Sequence, residues 1–166
     1  KKMFLERKKE EKVIRTYMRD INRNRRGVDR LSREEVKVDA VLKDRDTVTL
    51  GGVTLTANIT PGHTPGCTSY VLDDQGMAFT GDALLIRGCG RTDFQQGDAG
   101  QLYASVRERL FTLPPHCLLY PGHDYRGLTV TSVAEEKRFN PRLGSHISAS
   151  DFVGYMLHLG LPHPRL

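Results

Sequence analysis

The pattern of apolar positions changes character once along the chain, at about Val36. Before that point, residues 4–26 are charged nearly everywhere and carry a thin apolar stripe. Ile14, Met18 and Ile21 follow one another at +4 and +3, with Val13 and Tyr17 alongside, which is the spacing of one helical face. Ser32 with Glu35 adds a capping-box pattern for one more short turn. Beyond Val36, Thr47–Leu50 and Val53–Ile59 flank Gly51-Gly52 and predict a β-hairpin. Thr68–Leu72 and Met77–Thr80 predict a second pair around Asp73-Asp74-Gln75-Gly76. A glycine-rich loop, Arg87 to Gly97, leads to Asp98 as an N-cap, after which Leu102, Val106 and Leu110 at +4 and +4 mark one buried helical face. Cys117–Tyr120 predicts a short buried strand. Ser132 and Glu135 cap a charged helix that Pro141 ends. Ser148 with Asp151 opens a last helix whose face is Phe152, Met156 and Leu159, stopped by Gly160 and Pro162. The order is strands, helix, strand, helix, helix, a mixed α/β body without tandem repeats.

Length and charge narrow this picture. The 166 residues suit one domain. No apolar run approaches the ~18 residues of a membrane span, and no apolar leader follows Lys1-Lys2-Met3, so neither a span nor a secretory signal is expected. Residues 1–35 hold 13 Lys/Arg against 7 Asp/Glu, a net +6, whereas the rest hold 12 against 13, a net −1. The basic excess is therefore a property of an arm and says nothing about the partners of the body. Within the arm, Glu6, Glu10, Glu11 and Asp20 interleave with the lysines and with Arg23-Asn24-Arg25-Arg26. That pattern favours a solvated helix with i,i+4 pairs such as Glu11–Arg15 over a nucleic-acid-binding segment. Cys67, Cys89 and Cys117 are odd in number and show no CxxC spacing. This argues against a disulfide framework or a structural zinc cluster, and for a reducing compartment: the cytoplasm or, in a eukaryote, the mitochondrial matrix.

Three places share one local design. Ile59-Thr60-Pro61-Gly62-His63, Ala78-Phe79-Thr80-Gly81-Asp82 and Leu119-Tyr120-Pro121-Gly122-His123 each run from an apolar strand through glycine into a His or Asp. A strand inside a sheet is rigid, glycine lets the chain turn sharply at its end, and the next side chain is thrown out at the rim. If the strands are neighbours, two imidazoles and one carboxylate converge, donors that suit Fe(II) and that Zn also accepts. His116, His146, His158 and His163 lack this context and read as structural or solvent-facing.

These residues carry a resemblance. Pro61-Gly62-His63-Thr64-Pro65-Gly66, then Thr80-Gly81-Asp82, then Tyr120-Pro121-Gly122-His123-Asp124 resemble the latter half of the metallo-β-lactamase superfamily. Within it, the run Gly81-Asp82-Ala83-Leu84-Leu85-Ile86-Arg87-Gly88-Cys89-Gly90-Arg91-Thr92-Asp93-Phe94-Gln95-Gln96-Gly97 is similar to the persulfide dioxygenases, iron enzymes that oxidise glutathione persulfide to sulfite. Asn140-Pro141-Arg142 and the closing helix fit the same family. The likeness spans about Val38 to Pro162, and its first part, Val38 to Gly66, is also similar to subclass B3 β-lactamases.

The resemblance implies an αββα sandwich with a metal at one rim. This chain would hold its C-terminal part over residues 36–166, behind a basic helical extension over residues 1–35. It implies that His63 and Asp82 ligate iron. His123 would match the histidine that binds a second metal in hydrolase members and lies near the iron without ligating it in the dioxygenases. Arg91 and Tyr125 would be the catalytic-centre residues that hold the glutathione part of the substrate, with Arg87 also on the substrate side; a guanidinium fork bonds both oxygens of a glycyl carboxylate. Asp93 would orient a ligand or an arginine, or simply form a turn. Cys89 reads either as a thiol that meets persulfide or as a small loop filler.

One feature of the family is missing. Its first ligand cluster, HxHxDH, would precede His63 by several tens of residues, yet residues 1–62 contain no histidine. The chain then reads as a fragment or rearranged product of a dioxygenase gene, as one member of an assembly in which a second copy or a partner chain covers the bared sheet, or as a protein in which His123 completes the site. The expected activity is glutathione-persulfide oxidation on a mononuclear non-haem iron. A zinc-dependent hydrolase of a thioester or β-lactam is the alternative enzyme, against which the Arg87–Gly97 loop argues. A non-catalytic binding or scaffold module with a basic arm is the alternative outside enzymes.

Overall fold

A computed structural model describes residues 41–162. The expectations for the arm over residues 1–35, for the boundary at residue 36 and for His163 lie outside the described residues.

Six strands form one mixed sheet, in sequence order across it: β1 Thr47–Leu50, β2 Val53–Ile59, β3 Thr68–Leu72, β4 Met77–Gly81, β5 Leu118–Pro121 and β6 Thr131–Ser132. The first hairpin turns at Gly51-Gly52, with Leu50 paired to Val53. The pairs β1–β2, β2–β3, β3–β4 and β5–β6 are antiparallel, while β4–β5 is parallel. A parallel pair needs a crossover, which the long loop and the first helix between Gly81 and Leu118 supply. It follows that β2, β4 and β5 all run the same way, and that Ile59, Gly81 and Pro121 end at one rim.

Three helices start where capping signals stand. The Asp98 carboxylate accepts the Gln101 N–H at 2.8 Å ahead of α1 (Ala99–Ser105). Ser132 accepts from Glu135 N–H at 3.2 Å ahead of α2 (Val133–Phe139). Ser148 accepts from Asp151 N–H at 3.1 Å ahead of α3 (Ala149–Leu157). Each cap satisfies a backbone donor that the first helical turn cannot. After Ser105 the helix widens into a π-type turn, Val106–Leu110, closed by Phe111 N–H on the Val106 carbonyl at 2.8 Å. Leu102, Val106 and Leu110 are fully buried on one face, and Phe111 turns inward beside them.

The helices cover one side of the sheet, where Val71, Ala78 and Leu119 meet Leu102, Val106, Phe152 and Met156. Leu55, Ala57, Leu72, Phe79 and Tyr120 alternate to the opposite side. All five are buried, and the Phe79 and Tyr120 rings stack with centroids 5.6 Å apart. The described residues make one sheet with three helices, part of the metallo-β-lactamase-like arrangement, and not the two sheets of a full sandwich. Cys67 and Cys117, expected on strands, sit just ahead of β3 and β5, the first half-buried and the second buried. No helix among the described residues is long and apolar enough to cross a membrane.

Candidate metal centre

The three strand endings meet at the shared rim. Gly81 closes β4 in a left-handed conformation, φ 54°, and so turns Asp82 outward. Main-chain bonds tie these endings to one another and to the loop between them: Gly122 N–H donates to the Gly81 carbonyl at 2.7 Å, Gly90 N–H to the Asp82 carbonyl at 2.7 Å, and Asp98 N–H, at the start of α1, to the Gly62 carbonyl at 2.8 Å. His63 Nε2 stands 3.5 Å from Asp82 Oδ2, and His123 Nδ1 stands 2.5 Å from Asp82 Oδ1. All three side chains are partly exposed, between 20% and 31%.

His63 Nδ1 lies 2.7 Å from the main-chain carbonyl of Arg91. A carbonyl only accepts, so Nδ1 carries the proton and donates it, and Nε2 faces Asp82 as the ring's second nitrogen. In the neutral ring that nitrogen is a lone pair opposite a carboxylate oxygen, an arrangement that a cation between them reconciles. Two donors held ~2.1 Å from one ion at a tetrahedral angle stand roughly 3.4 Å apart, close to the 3.5 Å observed. The pair His63–Asp82 therefore fits a shared divalent ion, and its donor types accept Fe(II) or Zn alike. His123 does not fit as a third donor here. At 2.5 Å its contact with Asp82 is a hydrogen bond, shorter than two ligands of one ion approach each other. Among the described residues, no group of three His, Cys, Asp or Glu is arranged to hold an ion.

Two glycines permit the close packing behind this pair. A Cβ on Gly90 would come within 2.7 Å of His63 Cγ and 2.8 Å of its Nδ1. Gly62, at φ 131°, rests on α1, where a Cβ would overlap the backbone nitrogen and Cα of Leu102. Gly62→Ala should cost about 1–3 kcal/mol, the usual penalty of overpacking. The melting temperature should then fall by roughly 4–10 °C, and an unchanged value would remove this contact as the reason for the glycine.

The loop after Asp82 divides the remaining expected site residues. Arg91 sits at the centre through its carbonyl on His63, and its guanidinium is gripped by Asp93, with Nε to Oδ1 and Nη2 to Oδ2 both 2.7 Å. Asp93 thus pairs with an arginine through both carboxylate oxygens. Those bonds to Arg91 outweigh what desolvation there is and hold its carboxyl below the usual range. Tyr125 is 84% exposed, its ring parallel to that of His123 with centroids 6.3 Å apart. The Asp124 carboxylate holds this turn by accepting N–H bonds from Arg126 at 2.8 Å and Leu128 at 2.6 Å.

Arg87 and Cys89 are both held within the protein. The Arg87 guanidinium, expected on the substrate side, is bound by Glu136, by Glu135 at 3.1 Å and by the Thr131 hydroxyl at 3.2 Å. Cys89 is 4% exposed, with Sγ 4.0 Å from Met156 Sδ. Burial pushes its thiol up to about 11 against the opposing charge of Arg142. It is packed inside the loop, where burial disfavours the thiolate. His116, His146 and His158 are exposed, as expected, and His158 Nδ1 bonds the Gly154 carbonyl at 2.8 Å at the end of α3.

Glu136 is a further residue that shapes this region. It is fully buried and accepts from the Arg87 main chain at 2.9 Å, the Arg87 guanidinium, Thr131 at 2.8 Å and Asn140 at 2.8 Å. Asn140 also donates to the Gly88 carbonyl at 3.1 Å. These bonds anchor the start of the loop that carries Gly90 and Arg91, with Arg87 held left-handed at φ 55°. A signal was available: Val133, Glu136 and Asn140 share one helical face, and a carboxylate on a buried stripe requires a partner.

A single mixed sheet whose co-directional strand ends gather imidazole and carboxylate donors defines an α/β fold of the metallo-β-lactamase type. The chain belongs to the Metallo-beta-lactamase superfamily, whose sequence signature matches residues 6–123 and so runs through much of the basic arm. Over 129 residues it is 55% identical to the mitochondrial persulfide dioxygenase ETHE1 of Mus musculus, an alignment covering 78% of this chain and 50% of that protein. The crystal structure of ETHE1 from Myxococcus xanthus superposes with a TM-score of 0.73 at 50% identity, covering 76% of this chain and 55% of that one. The B3 metallo-beta-lactamase BLEG-1 superposes with a TM-score of 0.59 at 32% identity, covering 66% of this chain and 50% of that one. The chain spans about half the length of the curated relatives it matches.

Proposed function

We propose that this chain serves the oxidation of glutathione persulfide by dioxygen at a mononuclear non-haem iron held through His63 and Asp82. The observation that carries the reading is His63 Nε2 facing Asp82 Oδ2 at 3.5 Å, on a rim whose adjoining loop brings Arg91 to the same place. The 55% identity to persulfide dioxygenases supports iron and a persulfide over zinc and a thioester. The conversion takes one persulfide, one dioxygen and one water to thiol, sulfite and two protons, which balances. Bound iron(II) would supply open positions at which substrate sulfur and dioxygen react side by side.

The chain's own residues do the remaining work. The Arg91 carbonyl fixes the His63 ring, and the His123 Nδ1–H holds the Asp82 carboxylate in place. The Arg91 guanidinium receives the glycyl carboxylate of the substrate, while Tyr125 offers an exposed aromatic wall beside His123. Facial iron sites of this class use three protein donors. The third comes from outside residues 41–162, or from His123 once it leaves Asp82. The setting is a reducing compartment: cytoplasm or, in a eukaryote, the mitochondrial matrix.

The test is to load the protein anaerobically with iron(II), add glutathione persulfide and follow oxygen uptake and sulfite together. Equal consumption and production is the expected result. Hydrolysis of a glutathione thioester by the zinc-loaded protein, with no oxygen uptake by the iron-loaded one, would overturn it in favour of a hydrolase.

A further inference from the structure

A guanidinium has two edges that can each grip a carboxylate, and five N–H donors in all. Asp93 occupies one edge of Arg91 completely, through Nε and Nη2 at 2.7 Å each. The Arg91 Cζ also lies 5.9 Å from the Phe94 ring centroid, so the plane is supported as well as gripped. What Asp93 leaves is the far edge, made of Nη1 and the second N–H of Nη2. There Nη1 donates to the main-chain carbonyl of Pro162 at 3.0 Å. An oxygen acceptor therefore already stands at that edge.

We infer that Asp93 is a positioning residue that sets substrate specificity: it aims the Nη1/Nη2 edge of Arg91 at the terminal carboxylate of the substrate, which takes the place held by the Pro162 carbonyl. This rests on the reading of Arg91 as the glutathione-binding group and extends it by naming which edge binds and what holds that edge in line. Free on its flexible stem, an arginine offers charge without direction. Clamped on one side, it offers a fixed two-pronged donor that a carboxylate matches and a carboxamide, with a single acceptor oxygen, does not. Asp93 is 39% exposed, so its charge cancels that of Arg91 only through a solvent-screened interaction. The alignment is the larger effect.

The experiment compares binding of reduced glutathione with that of glutathione amidated at its glycyl carboxylate, by titration calorimetry on the intact chain, without turnover. Wild type should prefer the free carboxylate by roughly tenfold or more, the worth of a charge-assisted pair. Arg91→Ala and Asp93→Ala should both bring the two ligands to within about threefold of each other, and Asp93→Glu should restore part of the preference. A preference that survives in Arg91→Ala would overturn the assignment of Arg91 as carboxylate partner. A preference lost in Arg91→Ala and kept in Asp93→Ala would leave that assignment standing and overturn the positioning role. Wild type showing no preference would overturn the edge assignment. Unchanged thermal unfolding of Asp93→Ala separates these outcomes from a damaged fold.

Discussion

Glu136→Ala is expected to destabilise the fold by about 3 kcal/mol, the lower end of what breaking a buried ion pair costs. The lower end applies because the Arg87 side chain is 25% exposed and keeps Glu135 as a second partner. The loss is still large, since four donors lose one acceptor: two from Arg87, one from Thr131 and one from Asn140. Thr131 and Asn140 are themselves buried and have little water to turn to. In urea the midpoint should fall with an unchanged slope, and the melting temperature should drop by roughly 6–12 °C. Glu136→Gln keeps the volume and one acceptor and should cost about half as much. The effect should also reach the metal pair, because the anchored segment continues into Gly90 and Arg91 against His63. Amide exchange should accelerate first in the loop from Gly88 to Arg91. A Glu136→Ala protein as stable as the wild type would show that the network is not what holds this loop.

Removing either member of the facing pair should have the larger chemical consequence. His63→Ala and Asp82→Ala should each abolish retention of iron(II) or zinc in the presence of a competing chelator, whereas His158→Ala should retain as much as wild type. His123→Ala should fall between, weakening retention by roughly 10–100-fold, as expected of a partner that orients a ligand. This order separates a ligand from a hydrogen-bond partner. Should His123→Ala lose metal as completely as Asp82→Ala, His123 would be a ligand and its contact with Asp82 a feature of the metal-free arrangement. Equal metal content in all four variants would remove the site altogether.

Much of the local architecture is legible in residues that act over short range. Asp98, Ser132 and Ser148 mark three helix starts because a cap needs only a side-chain oxygen and a backbone N–H three residues on. The first hairpin follows from its paired glycines. The rim donors His63, Asp82 and His123 are legible as well, since each strand-glycine-donor ending is a local design repeated three times. The π-type turn at Val106–Leu110 leaves no such trace: a +4, +4 spacing of apolar residues serves it as well as an α-helix. Strand β6, two residues long, is too short for any pattern. The side-chain partners of Arg87 stand 44 to 49 positions later in the sequence, beyond the reach of any local pattern.

The sequence by itself determined which residues could donate, which glycines free the chain to turn, and where each helix starts, because these depend on neighbours within a few positions. Only the tertiary structure decided that β2, β4 and β5 end at one rim, that His63 and Asp82 face each other, and that His123 reaches the other oxygen of the same carboxylate. It likewise turned Arg87 inward to a buried Glu136 and left Arg91 clamped by Asp93. The physical reason is range. Caps and turns are satisfied locally, whereas a donor's role is set by the acceptor that packing brings within 3 Å or so, and the sheet's pairing order settles which acceptor that is.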